Sequence, residues 1–257
     1  MKKIALGILL LVSVFFLGGC FSKQVENVDM TLALSVGERT GVYSGTTRKD
    51  LPDGEGVFIR KENGKILWIH KGMWKEGHME GNGETTWPQD KLKIVGSFSN
   101  DKANGPCKTY FNEKLLFDGE YKDHKYAKGK LYDTLTGKMI YEGEFDEKEV
   151  PKGTFYVPVH FFSDEKLTKF AESFSKGSDI YIVLDLMFKS FNTPSLLITI
   201  YDVNNNESII DRSSISINPE WTAFTSHLNL VLPKGKFKIV ITTLEGKKFG
   251  EGQFEIK

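Results

Sequence analysis

Chemistry at neutral pH needs metal ligands, nucleophiles or paired acids at short range, and this chain groups few of them. His70, His78, His124, His160 and His227 are scattered, and none falls in the His-x-x-x-His or glutamate-flanked pattern that would bring two imidazoles to one ion. His70 and His78 could face each other across adjacent strands, although loop or surface positions are the plainer expectation. Asp202-Val203-Asn204-Asn205-Asn206-Glu207 opens like a calcium loop. It then places Glu207 where the tight turn needs glycine and Ser213 where the bidentate glutamate belongs, so it reads as a turn. Cys107 follows Gly105-Pro106 with no histidine nearby in sequence and reads as a strand residue, not a nucleophile. Carboxylate pairs such as Asp146-Glu147 and Asp53 with Glu55 sit in polar, loop-like stretches. The sequence has no Gly-x-Ser-x-Gly elbow and no phosphate-cradling Gly-x-x-x-x-Gly-Lys-Ser/Thr loop. The expectation is therefore no enzyme, with no catalytic residue, metal or cofactor assigned.

Cys20 stands in a different context. Met1-Lys2-Lys3 is followed by an apolar run from Ile4 to Leu17 and then by Leu17-Gly18-Gly19-Cys20. That order is the order of a secretory signal, and the run is shorter than the roughly 20 residues a membrane-spanning helix needs. Small residues at Gly18 and Gly19 let the chain extend into a peptidase cleft. The Leu-Gly-Gly-Cys box resembles the lipobox of bacterial lipoproteins. That resemblance implies a diacylglycerol thioether on Cys20, cleavage between Gly19 and Cys20, and a membrane tether without a spanning helix. A lipid anchor gains about 0.8 kcal/mol per buried CH₂, so two or more chains hold firmly. Phe21, not aspartate, follows the cysteine. In an enteric-type envelope this implies transfer to the outer membrane, and in a single-membrane host retention on the outer leaflet.

The chain carries 34 basic and 34 acidic residues, so removal of Lys2 and Lys3 leaves a formal charge of −2. A nearly neutral surface gives no electrostatic reason to bind nucleic acid. With Cys20 acylated, only Cys107 remains of the 2 cysteines, and stability must come from packing and hydrogen bonds.

The elements that must carry any site show themselves through repetition. Gly41-Val42-Tyr43, Gly72-Met73-Trp74, Gly96-Ser97-Phe98, Gly119-Glu120-Tyr121 and Gly143-Glu144-Phe145 share the pattern Gly-x-aromatic, at steps of 31, 24, 23 and 24 residues. A second glycine follows each: Gly54, Gly81, Gly105, Gly129 and Gly153. Between them lie polar stretches such as Lys75 to Glu80 and Ser99 to Asn104, suited to hairpin loops where Gly, Asn and Asp accept positive φ. Another aromatic-bearing strand then follows, with Phe58, Trp87, Tyr110, Tyr132 and Tyr156. The pattern predicts a ladder of about five hairpins over 39–157, its aromatics stacked along the repeat axis.

Phe117-Asp118-Gly119-Glu120-Tyr121 and Tyr141-Glu142-Gly143-Glu144-Phe145, with Gly54-Glu55-Gly56 and Gly81-Asn82-Gly83, resemble the opening and closing of MORN repeats. Gly105, Gly129 and Gly153 lack the following glycine. The resemblance implies an antiparallel sheet in which each hairpin touches its neighbours, used as a scaffold, dimer surface or protein platform. Tyr43, Trp74, Phe98, Tyr121 and Phe145 read as structural stacking; Trp68, Trp87 and Trp221 are less regular, and an exposed one among them is the better ligand candidate.

Residues 158–178 read as a connecting segment. Ser163 to Lys176 has a capping serine, early acids, and Leu167, Phe170, Ala171 and Phe174 at helical spacing, which predicts a short helix. From 179 to 257, apolar runs at Ile180 to Phe188, Leu196 to Tyr201, Ile215 to Ile217, Leu228 to Leu232, Phe237 to Thr242 and Phe254 to Ile256 alternate with turn residues, which predicts an antiparallel β-sandwich. The ending from Leu232 through Ile256 resembles the last strands of immunoglobulin-like accessory domains on bacterial surface proteins, which implies a fold and not a function.

The expected organisation is thus a signal peptide over 1–19, a tether over 20–38, the array over 39–157, the connecting segment, and the sandwich: an all-β protein with one short helix. The functional expectation is a non-enzymatic envelope lipoprotein, anchored to the membrane at Cys20, that serves as a platform for an envelope protein partner. Alternatives are an immunity or inhibitor lipoprotein against a toxin or hydrolase, and a module that binds glycan or cell wall through exposed aromatics.

Overall fold

The computed structural model describes residues 22–187, 189–228 and 230–257. The signal segment, Gly19 and Cys20 lie outside the described residues. Strands carry the fold: β1 (Lys23–Leu34), β2 (Gly37–Arg48), β3 (Leu51–Glu62), β4 (Lys65–Lys75), β5 (His78–Trp87), β6 (Leu92–Ser99), β7 (Lys102–Phe111), β8 (Lys114–Lys122), β9 (Lys125–Tyr132) and β10 (Met139–Glu144) form one antiparallel sheet in sequence order. The ladder of hairpins expected from the repeats is the observed architecture over four units, but the fifth is not completed: β10 ends at Glu144, Phe145 meets Pro151 only through an isolated bridge, and Tyr156 lies outside any strand. The ladder begins earlier than expected, because Lys23–Leu34, placed in the tether by sequence, pairs along β2 and buries Leu32 and Leu34. Alternation in Met30-Thr31-Leu32-Ala33-Leu34 is a strand pattern, but no glycine-aromatic unit marks it.

The turns are tight. Lys49-Asp50, Asn63-Gly64, Glu76-Gly77, Asn100-Asp101, Asn112-Glu113 and Asp123-His124 have positive φ at both positions, for example 47° and 68° at Asn100 and Asp101. This is the type I′ pattern, whose twist matches that of the flanking strands. Only two of these six turns contain glycine; Asn and Asp supply most of the remaining left-handed positions, as their short polar side chains allow.

A row of glycines crosses the sheet. Gly45 pairs with Gly56, Gly56 with Gly72, Gly72 with Gly83, and Gly83 with Gly96; beyond it Gly119 pairs with Gly129, and Gly129 with Gly143. Cys107 fills the remaining place, between Gly96 and Gly119. Rings two residues earlier lie over the row: a Cβ on Gly83 would meet His70 Cε1 at 2.6 Å, and one on Gly129 would meet Phe117 Cζ at 2.8 Å. The glycines are therefore the seats of the aromatic core. This register corrects the first repeat, since Gly41 pairs with Met30 on β1 while Gly45 holds the row position. Gly45 instead of Gly41 also shortens the irregular first step to 27 residues.

The sheet curls on itself. Ser35, in the β1–β2 turn, donates its N–H to Asp101 Oδ2 at 2.6 Å and its hydroxyl to the Asn100 carbonyl at 2.7 Å, reaching a turn several strands away. One face is thereby closed over a core that includes Tyr43, Phe58, Trp74, Phe98, Phe117, Tyr121, Leu131 and Phe145. Each such side chain contributes about 1.5–3 kcal/mol by leaving water.

The remaining strands are β11 (Val157–Pro158), β12 (His160–Phe162), β13 (Ser173–Phe174), β14 (Ile180–Asp185), β15 (Ser195–Asp202), β16 (Ser208–Ser216), β17 (Ala223–Leu228), β18 (Gly235–Thr242) and β19 (Lys248–Ile256). One sheet runs β11-β19-β18-β15-β16 with β13 also on β19, and a smaller one runs β12-β14-β17. Ile180, Ile182, Leu184 and Phe224 of the smaller sheet share a core with Leu196, Ile200, Phe237, Ile239, Ile241 and Phe254 of the larger. This is the expected sandwich.

Two expectations fail here. Among the described residues no helix forms, and Ser163 to Lys176 is extended or turned instead. The Asp164 carboxylate accepts N–H bonds from Thr168 and Lys169 at 3.0 and 2.7 Å, Leu167 takes a φ of 55°, Phe170 bridges to Phe162, and Phe174 enters β13 beside β19. An available strand edge takes the phenylalanines that helical spacing would have placed on one stripe. Of the run Leu228 to Leu232, Leu228 ends the strand Ala223–Leu228 while Leu230, Val231 and Leu232 lie outside any strand, with Val231 82% exposed. An edge strand inserting only Phe224 and its alternate neighbours carries too weak an apolar signal to read from sequence.

Candidate functional site

The site grows out of the turns that close the roll. At two successive turns the second residue's side chain accepts an N–H of the preceding hairpin: Met79 N–H to Asp101 Oδ1 at 2.8 Å and Ala103 N–H to His124 Nδ1 at 2.8 Å. Backbone bonds run the other way, from Asp101 N–H to the Met79 carbonyl at 3.1 Å and from His124 N–H to the Ala103 carbonyl at 2.9 Å. Glu149, in the turn after β10, accepts the Tyr126 N–H at 3.0 Å in a similar way. The equivalent position of the β4–β5 turn is Gly77, which has no side chain to accept, so the clasp does not recur as a motif in the sequence.

Asp101 carries more than one clasp. Its carboxylate is fully buried and also accepts from Ser35 N–H and, at 2.8 Å, from His78 Nδ1. His124 accepts at Nδ1, so its neutral ring carries its proton on Nε2. Burial, with Lys102 nearby, holds its pKa below the ordinary histidine value, consistent with that neutral form.

Above this clasp lies a groove of about 310 Å³ lined by Val36, Arg39, Arg60, Trp68, Met79, Thr85, Trp87, Asp101 and His124. Arg39 donates only to nearby carbonyls, Glu38 O at 2.8 Å and Val36 O at 2.7 Å. Among the described residues the only carboxylate oxygen within 4.0 Å of either guanidinium is that of Glu62, 3.9 Å from Arg60. Trp68 is buried and stacks near Phe58 at 5.3 Å, whereas Trp87 is half-buried. The groove therefore offers two cationic forks and one imidazole N–H beside two indole rings, while its one acid is already occupied.

The other histidines are placed differently. His70 is fully buried under the aromatic row, 2.8 Å from Thr85 Oγ1, with Phe98 and Trp74 rings at 4.8 and 5.2 Å and Nε2 without a partner. It does not face His78; its strand partner on β5 is Thr85. His160 Nε2 lies 3.0 Å from Asp133 Oδ1, beside a second cavity of about 310 Å³ that also includes Lys138, Phe170 and Glu251. Burial would raise Asp133, but bonds from His160 and Thr136 overcome it and hold its pKa at about 2. His227 pairs with exposed Asp179 at 3.1 Å.

The repeat residues singled out by sequence lie in the sheet: Gly72, Gly96, Gly119 and Gly143 in the glycine row, and Tyr43, Trp74, Phe98, Tyr121 and Phe145 buried beneath it. Their edge-on contacts, such as Tyr43 with Trp74 at 5.9 Å and Phe117 with Phe145 at 5.5 Å, fill the roll and leave no ring face for a ligand. Trp221 is 50% exposed at the end of the sandwich.

Cys107 is buried in the glycine row with Sγ 3.2 Å from the Ser97 carbonyl, and burial raises its thiol pKa. A thiol so placed reacts slowly because the thiolate attacks. In the soluble chain from Phe21 onward, where it is the one cysteine, an aromatic disulfide reagent at pH 8 is expected to label it at least a hundredfold more slowly than in denaturant; equal rates would remove it from the core.

Compared with known proteins, the chain matches no protein-family model and no curated protein.

Proposed function

We propose that this chain is a non-enzymatic envelope lipoprotein, tethered through Cys20, whose MORN-like array and immunoglobulin-like sandwich form a platform for a protein partner. The observation that carries the reading is the groove with Arg39, Arg60, Trp68 and Trp87 at its walls. Tryptophan and arginine are the residue types that dominate binding energy at protein interfaces, and here Arg39 makes no ion pair among the described residues while Arg60 makes only a long one, 3.9 Å to Glu62. The apolar box ending at Cys20 supports the anchor.

The test is affinity capture from solubilised envelope with the soluble chain from Phe21 onward, beside a variant carrying Arg60→Glu and Trp87→Ala. One saturable protein retained by the native chain and lost with the variant is the expected result. Retention of cell-wall fragments alone would move the reading to a glycan-binding module, and equal retention by both chains would remove the groove from it.

A further inference from the structure

The polar side chains of the groove that are not engaged with other protein side chains offer donors. Arg39 and Arg60 contribute guanidinium N–H groups, and His124, its Nδ1 already accepting the Ala103 N–H, contributes an Nε2–H. The only carboxylate in the lining, Asp101, spends both oxygens on Ser35 N–H, Met79 N–H and His78. Thr85 Oγ1 is engaged with His70. No lining carboxylate oxygen is left without a donor, and among the described residues the one ion pair to either arginine is the long 3.9 Å contact of Arg60 with the exposed Glu62. The walls beside these donors are apolar: Val36, Met79, Trp68 and Trp87.

A planar fork of N–H donors matches a carboxylate in two-point geometry, and a cavity of about 310 Å³ sits at the small end of the range for ligand sites. A bare anion would leave the indole and thioether surface wet, and an apolar body without charge would leave the guanidinium groups facing it desolvated. The ligand that satisfies both halves has one carboxylate joined directly to an apolar or aromatic side chain. A peptide's last residue has that form.

We infer that the groove bounded by Arg39, Arg60, Trp68, Trp87 and His124 binds the free C-terminal carboxylate of a peptide whose last side chain is apolar. The inference rests on the platform reading and names the chemistry by which the platform selects its partner. Arg39 and Arg60 take the carboxylate, His124 Nε2–H supports it, and the terminal side chain lies between the two indoles. Because the attraction is between charges at a half-open site, it weakens as salt is added.

The experiment titrates the soluble chain from Phe21 onward with N-acetyl-Gly-Gly-X tripeptides in which X is Val, Leu, Phe or Trp, each as free acid and as C-terminal amide. Binding is read by calorimetry at low and physiological salt. At least one acid is expected to bind with its amide weakened tenfold or more, equivalent to about 1.4 kcal/mol. The double variant Arg39→Gln and Arg60→Gln is expected to lose at least tenfold while keeping the native near-ultraviolet circular dichroism; Trp221→Ala, on the sandwich, is expected to change nothing. Equal affinity of acid and amide, absence of binding by all four acids, or full binding by the double variant would each overturn the inference. N-acetylphenylalanine binding as tightly as the best tripeptide would overturn the peptide source and leave a small free carboxylate. If no acid binds while the captured envelope protein is still lost with the groove variant, the carboxylate chemistry fails and the platform stands; if capture also fails, the platform reading falls with it.

Discussion

Asp101→Ala is expected to destabilise the chain by about 4 kcal/mol. The carboxylate is fully buried and accepts from two backbone N–H groups, Ser35 and Met79, and from His78. Hydrogen bonds to a charged group contribute about 1.5–3 kcal/mol each, and an orphaned buried donor costs a similar amount, so three losses with partial relaxation give this order. The backbone adds to it, because Asp101 sits at a φ of 68°, where alanine costs about 1–2 kcal/mol more than a residue with a short polar side chain. Asp101→Asn keeps one accepting oxygen and the tolerance of positive φ, and should cost about half as much. Urea unfolding of the soluble chain measures both. The bond to Ser35 also closes the roll, so amide exchange at Ser35 should accelerate in the alanine variant before global unfolding. A cost below 1 kcal/mol for Asp101→Ala would mean that the roll is held by its aromatic core alone.

The second large effect is a pH dependence. Burial pushes the His70 imidazole down to about 4, against a weaker opposing pull from Asp101. The unfolded chain protonates this group near 6.5, while the folded chain does so only near 4. Between those values the unfolded state binds more protons, so stability rises with pH across the window and falls as pH is lowered through it. The loss amounts to about 2 kcal/mol between pH 7.5 and 5 and about 3 kcal/mol by pH 4. His124, also held down by burial, adds in the same direction. Asp133, held at about 2, acts in the same direction at lower pH: its stabilisation is present above the ordinary carboxylate value of 3.8 and is lost as pH falls from there toward 2, below this window. Tyr43, Phe117 and Tyr141 occupy the position equivalent to His70 over the glycine row. His70→Phe combined with Thr85→Val therefore suits the site and removes both partners of the buried bond, which is nearly neutral in cost. Urea unfolding midpoints from pH 7.5 to 5 should flatten in this double variant, leaving the smaller His124 share. Parallel curves for variant and native chains would show that His70 is not buried in its neutral form.

The hairpin array was legible because its physics repeats: a glycine wherever an aromatic ring must lie against the backbone, and a polar pair wherever the chain must turn with positive φ. What repetition could not show was which glycine of the first unit belongs to the row, since Gly41 and Gly45 flank Tyr43 at nearly equal distances and only pairing with Gly56 distinguishes them. The sandwich was legible from alternating and continuous apolar runs, apart from the edge strand Ala223–Leu228. Phe170 and Phe174 misled because helical spacing describes positions along a chain and not the strand edges that compete for them.

By itself the sequence determined the β-rich class, the repeat and the burial of the regular aromatics, because all of these follow from local residue type and period. Tertiary structure alone decided the groove. Arg39, Arg60, Trp68 and Trp87 lie on four different strands and His124 in the β8–β9 turn, and they share no motif; they meet because the sheet curls until the β1–β2 turn reaches Asp101. Curl is the sum of small twists over many strand pairs, and no single residue records it.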